Sequence, residues 1–177
     1  MTVGFSPEMI GSVASGELDA AIVVEHRSGI PKSCSWKALM EEPLVVVAHG
    51  GVDTSMEPHE LLRTEPFIRY DRRVWGGRLA DKYLRENGIR PPQRLEIDGL
   101  MLIASLIKHG LGISLLPDWS PMWEGDTSLI RIKLPNQAPV RRVGVLWSTK
   151  GPRASLVQLV LSEAEATLGS NARRPGS

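Results

Sequence analysis

LEIDGLMLIASLIKHGLGISLLP, residues Leu95–Pro117, carries a strand, a helix and a second strand with the punctuation between them. Leu100, Ile103, Ala104, Leu106 and Ile107 recur at the spacing that gathers them on one helical face. Asp98 stands where an N-cap belongs, because its carboxylate can accept from a backbone N–H two or three residues on. Lys108 and His109 fall in the last turn, where positive charge suits the helix dipole, and Gly110 follows where a left-handed residue ends a helix. Gly112 then releases the apolar run Ile113–Leu116, which Pro117 stops. Two buried strands joined by such a helix predict a parallel, right-handed βαβ crossover. In that unit the helix N-terminus lies at the carboxyl ends of the strands, so Asp98, Gly99 and Leu100 mark a natural place for an anionic ligand. The apolar helix body needs only a core to explain it.

The rest of the chain repeats this alternation. Ser6-Pro7-Glu8 predicts a helix entry with Ser6 as cap, Gly16 stops that helix, and Leu18–Val24 reads as a strand buried on both faces. Met1–Phe5 reads as a strand, Glu25–Ser35 as a loop containing Cys34, and Leu44–His49 as another buried strand. Pro58–Arg63 predicts a short helix and Phe67–Tyr70 a strand. The loop Asp71–Gly77 feeds a helix over about Arg78–Asn87, which Gly88-Ile89 closes. Asp118–Ser128, with Trp119 and Trp123, reads as irregular. Strands follow at Leu129–Leu134 and Val143–Ser148, then an amphipathic helix over Ser155–Leu168 and a disordered tail, 171–177. Strands alternating with helices give an α/β class with mainly parallel sheets.

Composition narrows the function. The chain has 177 residues, enough for one large domain or two small ones, and a formal net charge of +1 from 21 Lys and Arg against 20 Asp and Glu. Basic and acidic residues are interspersed, so no global field is present to hold nucleic acid. Apolar runs are far too short to cross a bilayer, the first residues do not resemble a signal peptide, and the single cysteine is ordinary for the cytoplasm.

GELDAAIVV (Gly16–Val24), LVVVAH (Leu44–His49), FIRYD (Phe67–Asp71) and EIDGLMLIASLIKHGLGISLLP (Glu96–Pro117) resemble, in order and spacing, the effector-binding domain of LysR-type transcriptional regulators. The resemblance covers about Val3–Leu168. It implies a periplasmic-binding-protein-like fold, in which two α/β subdomains joined by two crossover strands hold a small effector between them. Residues 1–43 plus 148–170 would form the first subdomain and 44–147 the second, with crossover strands at Leu44–His49 and Val143–Trp147. The family's effector contacts carry over to Ala48 and His49, to Tyr70 and Asp71, and to Asp98, Gly99 and Leu100. Met1 falls at the family's second strand, after the helix-turn-helix that reads DNA. The resemblance therefore implies an incomplete first subdomain, no direct DNA binding by these residues, and either weak self-association or a homo-oligomer of altered geometry.

Rival chemistry finds no footing in the motifs. His26, His49, His59 and His109 are scattered without metal-ligand spacing, Gly112-Ile113-Ser114 lacks the glycine of a nucleophile elbow, and Gly76-Gly77 lacks the lysine of a phosphate loop. The expectation is a non-enzyme without catalytic residues, metal or cofactor, whose partner is a small organic effector rather than a membrane. A free-standing solute-binding protein of the same fold and an interaction module without a ligand are the alternatives. An anionic effector is favoured only where Asp98 turns back onto its own helix as a cap. Gly99→Leu is expected to block the site at little cost in stability, because leaving glycine improves helix propensity.

Overall fold

The structure, a computed structural model, describes residues 6–25, 29–119 and 128–149, with residues 155, 157, 159 and 161–163. Its elements in chain order are α1 (Ser6–Ser15), β1 (Ala20–Val24), β2 (Cys34–His49), α2 (Pro58–Thr64), β3 (Phe67–Tyr70), α3 (Trp75–Glu86), β4 (Gln93–Ile97), α4 (Leu100–Lys108), β5 (Ser114–Pro117), β6 (Leu129–Lys133) and β7 (Val140–Ser148). The strand expected at the N-terminus, the Trp123 segment and the tail lie outside the described residues. So does most of the last expected helix, although residues 155, 157, 159 and 161–163 are helical.

The chain forms two compact units, Met1–Glu41 with Arg142–Ser177, and Glu42–Arg141. It passes between them within β2 and within β7. The second crossing precedes the expected one because Val143–Trp147 pair with Val24–Ala20 of β1, which ties them to the first unit. In that unit Val13, Ala21, Val23, Cys34 and Leu146 form one buried cluster. Burial along β1 alternates, and Ile22 is 68% exposed, so this strand is not buried on both faces. Ser6 lies within α1 and its Oγ accepts the Val24 N–H at 3.2 Å, a bond to β1 in place of the expected cap. Cys34 opens β2 rather than sitting in a loop. The first half of β2 reads poorly as a strand because its apolar positions are interrupted by Lys37, Glu41 and Glu42. What holds it is β7, its neighbour in the sheet, which approaches so closely at Gly144 that a Cβ there would stand 2.2 Å from the Lys37 carbonyl oxygen.

In the second unit β2 is central. Its Leu44–Val47 stretch pairs antiparallel with Pro117–Ser114 of β5, and Val45–His49 pair antiparallel with Lys133–Leu129 of β6. Leu44, Val46 and Ala48 enter one buried cluster with Leu61, Leu62, Phe67, Tyr83 and Leu84. Val45 and Val47 enter another with Ile68, Ile103, Ile107 and Leu116. This two-faced burial is why LVVVAH is an unbroken apolar run. Parallel pairing is confined, among the described residues, to β3 with β4 and to a bridge between Phe67 and Ile113. The sheets are therefore mixed, since the long strands that carry the chain between units run against their neighbours.

The opening stretch folds as a crossover in which α4 passes from β4 to β5, with β3 lying between the two strands. Its C-terminus is a Schellman closure: Gly110 has φ +72°, its N–H reaches the Ile107 carbonyl at 2.9 Å, and the Leu111 N–H reaches that of Leu106 at 3.2 Å. Gly88 and Ile89 close α3 with the same two bonds, to Arg85 and Leu84. Its N-terminus differs from expectation, because Gly99, with φ +120°, is the capping residue and no side chain caps the helix. α3 also begins earlier than expected, at Trp75. Gly76 and Gly77 let its first turn press on β3, where a Cβ at Gly77 would lie 1.9 Å from the Asp71 carbonyl oxygen.

Candidate functional site

The parallel register Tyr70↔Ile97 brings the ends of β3 and β4 side by side, and the Asp71 N–H donates to the Ile97 carbonyl at 3.0 Å. The next residues of one strand are Asp71–Arg73, and of the other Asp98–Leu100. Five of the seven expected site residues, Tyr70, Asp71, Asp98, Gly99 and Leu100, thus share one edge of the second unit, at the carboxyl ends of its parallel strands. Gly99 presents open space, since a Cβ there would meet nothing within 4 Å.

Ala48 and His49 do not join them. Val47 pairs with Ser114 and Leu44 with Pro117, and β3 runs alongside β5 in the same direction, so the Tyr70 end of the sheet is the Leu44 end of β2. Ala48 lies four residues away, about 13 Å along the strand. It is 0% exposed, and the His49 Nδ1 accepts the Gly51 N–H at 3.0 Å.

What occupies the near end of β2 is Glu42. It is 3% exposed, and its Oε2 accepts from Nε of Arg141, itself 8% exposed, at 2.5 Å. Pro43 accepts the Asp118 N–H at 2.8 Å just beyond Pro117, and Pro117 and the Tyr70 ring both flank Gly76. Burial raises the Tyr70 phenol above its ordinary value; Arg141 opposes that rise, while Asp98 and Glu42 add to it. Glu42 and Arg141 therefore belong to the electrostatic surroundings of Tyr70. Sequence reading missed them because they lie 99 residues apart. The available signal was the pair of charged doublets, Glu41-Glu42 and Arg141-Arg142, each set beside an otherwise apolar strand.

The loop after β3 is held by its own charges. Oδ1 of Asp71 accepts the Arg73 N–H at 2.7 Å, and the Arg73 guanidinium reaches both carboxylate oxygens, the Nη2–Oδ2 distance being 2.6 Å. These bonds hold the Asp71 carboxyl below its ordinary range. Arg72 likewise grips Glu96 at 3.0 and 2.8 Å and lowers it. Asp98 is exposed and accepts no hydrogen bond among the described residues, but its charge attracts the Arg73 guanidinium of the neighbouring loop. Among those residues no three of His, Cys, Asp and Glu gather as a metal site would require, and no helix is long and apolar enough to cross a membrane.

A sequence profile described as LysR substrate binding domain matches residues 1–169. The chain belongs to this family. Among curated relatives, an HTH-type transcriptional regulator of Bacillus subtilis (strain 168), YusT, is 32% identical over 120 residues, 66% of this chain and 38% of its own. The LysR-family regulator HinK of Pseudomonas aeruginosa superposes with a TM-score of 0.76 at 18% identity, over 96% of this chain and 60% of its own. The CcmR regulatory domain of Synechocystis PCC6803, solved in complex with 2-PG, gives 0.74 at 22% identity, over 94% of this chain and 81% of its own. The chain thus spans well under half the length of the curated relative and has the LysR effector-domain fold, which is periplasmic-binding-protein-like.

Proposed function

We propose that this LysR substrate-binding domain senses a small organic effector through Tyr70, Asp71, Asp98, Gly99 and Leu100, on behalf of a transcriptional regulator working in the cytoplasm. The observation that carries the site is the parallel register of β3 and β4, which sets both loops at one strand end. The 2-PG complex of the CcmR domain supports a small-molecule role for this fold. Glu42 and Arg141 extend the same edge, and Ala48 and His49 are left out of it. A homo-oligomer is part of the reading: α4 turns Met101 and Leu102 outward, 65% and 53% exposed, and a second copy is the proposed cover.

The test is ligand-induced stabilisation, since a compound that binds only the native state must raise the melting temperature. A metabolite library is expected to yield compounds whose shift falls in both Tyr70→Phe and Leu100→Ala. Shifts indifferent to both changes, or abolished instead by His49→Ala, would move the site elsewhere.

A further inference from the structure

Two ion pairs stand on successive residues of β2 and β7. Arg142 donates from Nε to Oε1 of Glu41 at 2.9 Å and faces Glu25 at 3.7 Å; all three side chains are exposed, so these contacts contribute little. Arg141 and Glu42 are buried, with Nε and Oε2 2.5 Å apart. Next to them the Leu44 N–H donates to the Pro139 carbonyl at 2.8 Å, so the backbone holds the chain together here without the pair. A buried ion pair is often no more stabilising than apolar side chains of the same volume, because taking both charges out of water offsets their attraction. Stability alone therefore does not account for Glu42 and Arg141.

Tyr70 supplies the reason. Its side chain is buried, the charges that bear on it are those of Arg141, Asp98 and Glu42, and Arg141 is within hydrogen-bonding reach of its hydroxyl. Asp98 is at the same time drawn toward Arg73. A guanidinium only donates, so the phenol oxygen is the acceptor toward Arg141, while Glu42 holds the same guanidinium at Nε. Resting on the site reading above, we propose that Glu42 and Arg141 are positioning residues of the sensing edge: Glu42 anchors the guanidinium, and the guanidinium fixes the Tyr70 hydroxyl in one orientation toward an incoming effector. Glu42 and Arg141 are also the first and last residues of the second unit, so the same bonds tie both passages of the chain to that edge.

The chain has two tyrosines, Tyr70 and Tyr83, so the whole protein made with tyrosine carbon-labelled at Cζ gives two resonances, which Tyr70→Phe assigns. Glu42→Leu combined with Arg141→Met replaces the pair by apolar side chains. Its melting temperature is expected to stay level or rise, while the Tyr70 resonance moves, its titration midpoint climbs through loss of Arg141, and Tyr83 stays in place. Glu42→Gln keeps an acceptor for Arg141 but removes the negative charge that disfavours the phenolate, and should shift the Tyr70 midpoint the opposite way, to lower pH. A folded double variant whose Tyr70 resonance and midpoint match the unaltered protein would overturn the proposal, as would an unmoved midpoint in Glu42→Gln. A double variant that loses its fold would show that the pair serves stability instead. No ligand enters these measurements, so a negative result here leaves the effector site to its own melting-temperature test.

Discussion

At the scale of single residues, backbone geometry outweighs propensity. Gly99 has φ +120° and precedes the helix, so the helix-propensity gain expected for Gly99→Leu does not apply. Space is open at that position, but the conformation is one that side chains rarely adopt, and the substitution should cost roughly 1–3 kcal/mol of stability in chemical denaturation. Gly77→Ala is expected to destabilise by about 1–3 kcal/mol even though it sits inside a helix, because the new methyl would collide with the Asp71 carbonyl; the urea midpoint should fall with an unchanged slope. Asp71 makes a pH prediction. Its carboxyl is lowered by the Arg73 bonds, so its stabilising effect is fully present above the unfolded carboxylate value of about 4 and is lost as pH falls through the lower folded value. Asp71→Asn should therefore lower stability at pH 7 and flatten its decline below about pH 4, and midpoints measured from pH 2 to 7 would show whether it does.

At the scale of elements, α4 presents two unlike faces. Ile103 and Ile107 are wholly buried against β2 and β3, and Ile107→Ala should cost about 2–5 kcal/mol through the cavity it leaves. Met101 and Leu102 face outward, so Met101→Glu with Leu102→Glu should leave the melting temperature nearly unchanged while abolishing the proposed self-association in sedimentation experiments. Self-association that persists in the double variant would assign the oligomer to another surface. The ends of α4 show how legibility varies along one element. Gly110 was readable because a left-handed C-terminal residue is a local demand of the helix. The cap was not, because Asp98 and Gly99 are both common there and the choice depends on how β4 delivers the chain.

At the scale of the whole molecule, the second unit is a continuous insertion, Glu42–Arg141, between two pieces of the first. Its buried clusters draw only on its own residues, and its ends are joined by the Glu42–Arg141 pair and by the Leu44 N–H to Pro139 carbonyl bond at 2.8 Å. A fragment of residues 42–141 is expected to unfold cooperatively by circular dichroism with retained near-ultraviolet signal, whereas a non-cooperative melt would show that the first unit is needed to hold it. The intact chain, with a net charge of +1, is expected to show no sequence-selective binding to duplex DNA in salt-dependent mobility shifts.

The amino-acid sequence by itself determined the local and the nearly local: the helix stops at Gly88 and Gly110, the two-faced strand LVVVAH and the crossover around α4. Each is written in a few neighbouring residues whose spacing has a single physical reading. The tertiary structure alone decided the antiparallel course of β2 and β7, the parallel register that sets Tyr70 beside Asp98, the separation of Ala48 and His49 from that edge, and the meeting of Glu42 with Arg141. Strand direction and register are settled by pairing across the sheet, and a buried ion pair forms between groups brought together from distant parts of the chain, so neither leaves a local pattern to read.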